Sequence, residues 1–235
     1  DETGKWTIMP DKMEAEGDRG SSSSSNYHAS VREQNTRKGQ EAIDLLKNIK
    51  ALSTNLSEEK EELLRFFNGD ENAMSSARRY CRGEPMKRAL ERVGHRSPNL
   101  QKEIIYQQGK LAREIHNSPH GSVPILANCG MKVSVAFDYL ASKDANPQLD
   151  KLSFKYGDHS FLVIGRNPDT STATDPTTWP SDVVVLDAWI GNVFEGSRAI
   201  ENFQEIARTH PEIAPKDEDY SFKVVASHPK ETQWP

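Results

Sequence analysis

The sequence predicts an α+β fold: an antiparallel sheet packed on a helix, with a helical extension on its N-terminal side. Three observations carry this. Apolar residues recur at helical spacing from about residue 31 to 117. Two nearly continuous β-branched runs, 159–165 and 183–189, follow Ser118 and have the character of central strands. Between these halves, Val133, Ala136, Phe137 and Leu140 mark an amphipathic helix directly after Cys129.

The elements follow in order. Residues 1–30 mix charges with Gly17, Gly20 and the run Ser21 to Ser25, and read as a disordered terminus. Ala42, Leu45, Leu46, Ile49 and Leu52 form a first helical stripe. Ser57 reads as the N-cap of the next helix, with Glu58 and Glu59 in its first turn and Asn68-Gly69 at its end. Pro85 is placed at the start of a short helix that Gly94 terminates, and Ser97-Pro98 opens a longer one through Ile115. Residues 118–124 form a loop by their Pro and Gly content. Leu152, Phe154 and Tyr156 alternate as in a half-buried strand, and 167–181 reads as a long exposed loop. A helix over about 197–207 and a strand over 222–227 complete the core. The expected division is a disordered 1–30, a helical 31–117 and an α+β catalytic core over 118–235.

Composition removes several functions. The 235 residues carry a net charge of −5, which supplies no electrostatic basis for nucleic-acid binding. No apolar run approaches the roughly 18 residues of a membrane span, and no secretory signal pattern is read at the first residues. Mean hydropathy is −0.75, in keeping with solvated segments. Two cysteines form no disulfide framework, and a reducing compartment with free thiols is expected. The seven histidines show no His-Glu-x-x-His spacing, so neither a metal nor a cofactor is expected.

Cys129, His159 and Asp187 are the candidate catalytic residues. Cys129 lies in Ala127-Asn128-Cys129-Gly130 at a helix start, where the helix dipole and a nearby imidazolium favour the thiolate. His159 opens one strand run and Asp187 closes the other, on the faces of Phe161 and Val185 respectively. If the two runs pair as an antiparallel hairpin, the histidine and the carboxylate meet. Nucleophile, base and orienting acid then stand in triad order. Asp158 points to the opposite face from His159 and ranks below Asp187. Cys81 has basic neighbours but no matching His and Asp, and Arg78, Arg79 and Arg82 read as a solvated helix face. Gln107, Gln108 and Asn128 are candidate oxyanion donors. The bland alternative is a buried cysteine, a structural histidine and a non-catalytic interaction module.

On Asn128-Cys129-Gly130, Gly157-Asp158-His159-Ser160-Phe161-Leu162-Val163-Ile164-Gly165-Arg166 and Val183-Val184-Val185-Leu186-Asp187-Ala188-Trp189, the chain resembles papain-like and transglutaminase-like Cys-His-Asp enzymes. The similarity is nearest to bacterial effector and toxin domains of that superfamily. It implies a helix carrying the nucleophilic cysteine packed on an antiparallel sheet carrying the histidine and acid. It also implies cysteine-dependent hydrolysis of a host-protein amide, after secretion from bacteria into the host cytoplasm. The Ser-rich start fits an export segment. The short interval between Cys129 and His159 fits the compact transglutaminase-like core, which favours glutamine deamidation over peptide cleavage.

Overall fold

The computed structural model describes residues 20–118, 123–142 and 148–228. Helix α1 (Gly20–Asn48) leads to a two-residue strand β1 (Ala51–Leu52), then to α2 (Ser57–Phe66), α3 (Glu71–Val93) and α4 (Leu100–His116). The second half holds β2 (Ile125–Leu126), α5 (Cys129–Ala141), β3 (Leu149–Phe154), β4 (Ser160–Ile164), β5 (Val184–Asp187), β6 (Asn192–Glu195), α6 (Ala199–Thr209) and β7 (Phe222–His228). The architecture is α+β, with a five-stranded sheet in the order β6-β5-β4-β3-β7 and every neighbouring pair antiparallel.

Alternation along the strands splits the core between two faces. Leu149, Leu162, Ile164, Val184 and Leu186 pack with α5, with α1 through Ala42, Ile43 and Leu46, and with residues of α2 to α4. Phe154, Phe161, Val163, Val183 and Val185 pack with Phe203 of α6 on the other face. The sheet is therefore a middle layer. This corrects the half-buried reading of β3: all six of its residues are buried, because helices cover both sides. The helical region is likewise more than an extension, since α1 to α4 share one core with α5 and the sheet.

Several other expectations are revised. Helix α1 begins at Gly20, inside the segment expected to be disordered, while residues 1–19 and the export reading placed on them lie outside the described residues. Tertiary anchors explain the helix where propensity does not. The Asn35 side-chain amide donates to the Asp182 carbonyl at 2.9 Å, and Arg32 faces Glu195 at 3.5 Å. Leu56, in extended conformation, caps α2 in place of Ser57. Pro85 sits inside α3, where Met74, Cys81, Pro85 and Ala89 form one buried stripe. Asn99 precedes α4, and Ser97 accepts the Asn99 N–H in the turn before it. The 167–181 loop folds back on the core: Trp179 is 4% exposed, and Arg166 bonds both the Asp150 carboxylate and the Ser171 carbonyl at 2.6 Å. Gly69 and Gly94, both at positive φ, end α2 and α3 as expected.

Two features set the start of α5. At Gly109 of α4 a Cβ would lie 2.2 Å from the Asp138 carboxylate, so only glycine permits this approach of the two helices. The parallel pairing of β1 with β2 continues in the Ala127 N–H, which donates to the Leu52 carbonyl at 2.8 Å. That latch immediately precedes Asn128. Among the described residues, no helix is long and apolar enough to cross a membrane.

Candidate active site

Asn128 caps α5, its side-chain oxygen accepting the Met131 N–H at 2.9 Å. Lys132 N–H goes to the Asn128 carbonyl. The first-turn donors without a partner among the described residues are the N–H groups of Cys129 and Gly130. Most of α5 belongs to one face of the sheet, but Cys129 at its tip packs against the apolar cluster of the opposite face. The helix start thus overhangs the strand ends, where His159 lies.

His159 follows the tight β3–β4 turn, its carbonyl accepting the Phe154 N–H at 3.1 Å. The ring is 2% exposed and sits among Phe154, Trp189 and Phe203, at centroid distances of 5.7, 5.9 and 5.9 Å. Its Nε2 is 2.7 Å from Asp187 Oδ2, and the Cys129 sulfur, hydrogen-bonded to the Asp158 carbonyl just before it, lies close enough to the ring to act on its charge. With Nε2 committed to the carboxylate, Nδ1 is the nitrogen available to sulfur. The β4–β5 pairing is the antiparallel hairpin expected from sequence, with Leu162 opposite Leu186.

Asp187 is fully buried and well satisfied. Its Oδ1 accepts the Trp189 and Ile190 N–H groups at 3.0 and 3.3 Å, which uses the β5–β6 turn as a cradle for the carboxylate. Burial alone would push the His159 pKa down. The Asp187 charge and hydrogen bond, together with the Cys129 thiol, outweigh it and raise the value from 6.5 to about 9.

The structure brings Cys129, His159 and Asp187 together. Asp158 is present only through its backbone: the Cys129 thiol donates to its carbonyl at 3.1 Å, and its carboxylate is exposed. Cys81 is a buried free thiol on α3, which burial pushes above its ordinary pKa. Gln107 is spent on Glu103 at 2.7 Å inside the helical layer, and no contact ties Gln108 to the cysteine. Of the three amides, only Asn128 adjoins it.

Two lysines near the thiol are absent from the sequence-based reading. Lys132, 3% exposed, bonds both Glu59 oxygens at 2.6 and 2.9 Å, and burial holds it below its ordinary pKa against the pull of Glu59. Lys151 projects from β3 beneath the first turns of α5, donating to the Gly130 carbonyl at 2.8 Å and to Ser134 Oγ at 2.6 Å. It has no carboxylate partner among the described residues. Burial lowers its pKa to about 8, with a negative sulfur at Cys129 the opposing influence. The only available signal was a cation alternating with Leu152 and Phe154, which looks solvent-facing until the second face is known to be covered.

Among the described residues no group of three or more His, Cys, Asp or Glu side chains is arranged to hold a metal ion. Compared with known proteins, the chain matches no protein-family model, no curated protein and no solved structure.

Proposed function

We propose that this chain is a thiol hydrolase with a Cys-His-Asp triad on a papain-like/transglutaminase-like core, acting on an amide of a protein substrate. The observation that carries the reading is one continuous contact chain. It runs from the thiol at the tip of α5, tied to the Asp158 carbonyl beside His159 at 3.1 Å, through a buried imidazole 2.7 Å from Asp187, to a buried carboxylate held by two backbone N–H groups. A merely structural histidine needs neither a half-exposed thiol beside it nor a buried carboxylate on its ring.

The chemistry follows from the geometry. In the reacting pair the Cys129 thiol has passed its proton to His159, and Asp187 balances the imidazolium charge so formed. The thiolate attacks the amide carbonyl, and the developing oxyanion is received by the Cys129 and Gly130 N–H groups, with the Asn128 side chain beside them. His159 then protonates the departing nitrogen, leaving a thioester. Water, deprotonated by the now neutral ring, releases the acid product. Burial of His159 and Asp187 among aromatic rings keeps solvent from competing for their hydrogen bond.

Ammonia leaves if the amide is a glutamine side chain, and a chain amine leaves if it is a peptide bond. The short interval from Cys129 to His159 supports the first, and the resemblance to bacterial effector domains supports a host protein in the host cytoplasm as substrate. Intact mass of candidate host proteins after incubation tests this: a gain of about one dalton supports deamidation, and fragments replace it with cleavage by the same thiol. An unchanged mass across a host proteome, with Cys129 inert to alkylation, sinks the enzyme reading.

A further inference from the structure

Beside the start of α5 lies a cleft whose walls are the loop after β1, the end of β2 and the exposed side of α3. Arg78 and Arg82 line it together with Thr54, Asn55 and Asn128. One helical turn apart, the two guanidiniums face the same way. Cys81 between them is buried in the same core cluster as Leu126, which docks this face of α3 two residues before Asn128.

Neither guanidinium has a hydrogen bond or ion pair among the described residues. Elsewhere in the chain Arg88, Arg92, Arg113 and Arg166 each face a carboxylate. Arg79, next in sequence, turns to the hydroxyls of Ser75 and Ser76 at 3.2 and 3.0 Å. Among the described residues, no acidic side chain lines the cleft. Arg78 is half-buried, so its charge gives up hydration without a counter-ion. In a chain of net charge −5, two cations without a partner among the described residues, walling a cleft that reaches Asn128 just before Cys129, form a local receptor for negative charge.

We infer that Arg78 and Arg82 form a substrate subsite for a carboxylate side chain, selecting amides with an aspartate or glutamate close by in the substrate. The guanidinium fork suits a planar carboxylate, which it can hold with paired N–H donors. This inference rests on Cys129 being the nucleophile and adds the substrate feature that brings an amide to it. It also replaces the reading of Arg78 and Arg82 as a solvated helix face.

Alkylation of Cys129 tests the subsite without a known substrate. Iodoacetate and iodoacetamide differ in that one carries a carboxylate and the other a neutral amide. The ratio of their rates at Cys129, followed by mass spectrometry of the full chain, reports how far the cleft favours a carboxylate. In the Arg78→Gln, Arg82→Gln double variant the ratio should fall at least about threefold, with the iodoacetamide rate unchanged. Arg79→Gln should leave the ratio as it was, and salt near 1 M should shrink the advantage of the unsubstituted protein. An unchanged ratio in the double variant, or an equal fall in Arg79→Gln, overturns the subsite while leaving the triad standing. Failure of Cys129 to react with either reagent in the folded protein overturns the thiol reading itself. Both arginines lie at the surface of α3, so an unaltered melting temperature will establish that the variant is folded.

Discussion

Asp187→Asn isolates the electrostatics of the site from its shape. Asparagine keeps an oxygen for the Trp189 and Ile190 N–H groups, so the β5–β6 turn should persist. What is lost is the negative charge 2.7 Å from His159 Nε2. A raise in the His159 pKa from 6.5 to about 9 corresponds to about 3 kcal/mol in favour of the folded imidazolium, shared between Asp187 and Cys129. Because the folded value lies above the unfolded one, this stability is fully present below about 6.5 and disappears as pH rises through about 9. Without the carboxylate, burial dominates and the ring folds neutral. Urea denaturation should therefore show the variant less stable by up to about 3 kcal/mol at pH 6, with the gap narrowing steadily toward pH 9.5. Turnover at pH 7 should fall by about 10²–10⁴-fold, since the ring has lost both its proton and its orienting partner. A stability gap of the same size at both ends of the pH range would refute the charge-pair argument and leave Asp187 as a turn former.

The remaining predictions are briefer. Cys129→Ala and His159→Ala should each abolish hydrolysis, and the double variant should be no worse than the poorer single one, as expected of groups acting as a unit; full turnover in Cys129→Ala excludes the thiol mechanism. Iodoacetamide at about pH 6.5 should modify Cys129 well before Cys81, which is 3% exposed, and equal rates by peptide mapping would mark Cys129 as an ordinary thiol. Lys151 has a folded pKa of about 8 against an ordinary 10.5, so the unfolded chain binds the extra proton between those values and stability rises with pH there. Lys151→Met should remove that rise in denaturation measurements from pH 8 to 10.5, and its persistence would place the titrating group elsewhere. Ile43→Ala, at a position 2% exposed on α1, should lower stability by about 2–5 kcal/mol in urea; a negligible change would mean that α1 is not docked.

The meeting of Cys129, His159 and Asp187 was legible because each stands at an element end. Element ends in a small sheet are few, and alternation fixes the face on which each side chain emerges. The helix after Cys129, the β4–β5 hairpin and the α6 segment were readable from periodicity for the same reason. Less was visible where tertiary covering decides the outcome. The strand containing Lys151 looks amphipathic, and only the packing of α5 above it turns its polar face into core. Helix α1 begins in a stretch with almost no apolar residues, held by polar contacts to partners about 150 positions away. The β1–β2 latch is two residues long on each side, below the length at which alternation carries any signal. That Arg78 and Arg82 have no carboxylate partner among the described residues is a property of the folded chain alone.

The docking of α1 has a consequence for how the protein is made. The acceptors of His28 and Asn35 lie at Asp182, separations of 154 and 147 residues, and Gly39 rests on Val193. On a ribosome adding about 5–20 residues per second, the first helix waits roughly 10–30 s before the strands it needs have been synthesised. During that interval Ile43 and Leu46 have no sheet to cover, and Cys129 has neither His159 nor Asp187 beside it. The nascent chain is thus open to chaperones until its last third emerges, and the activity proposed for it would arrive in one late step with the closing of the core.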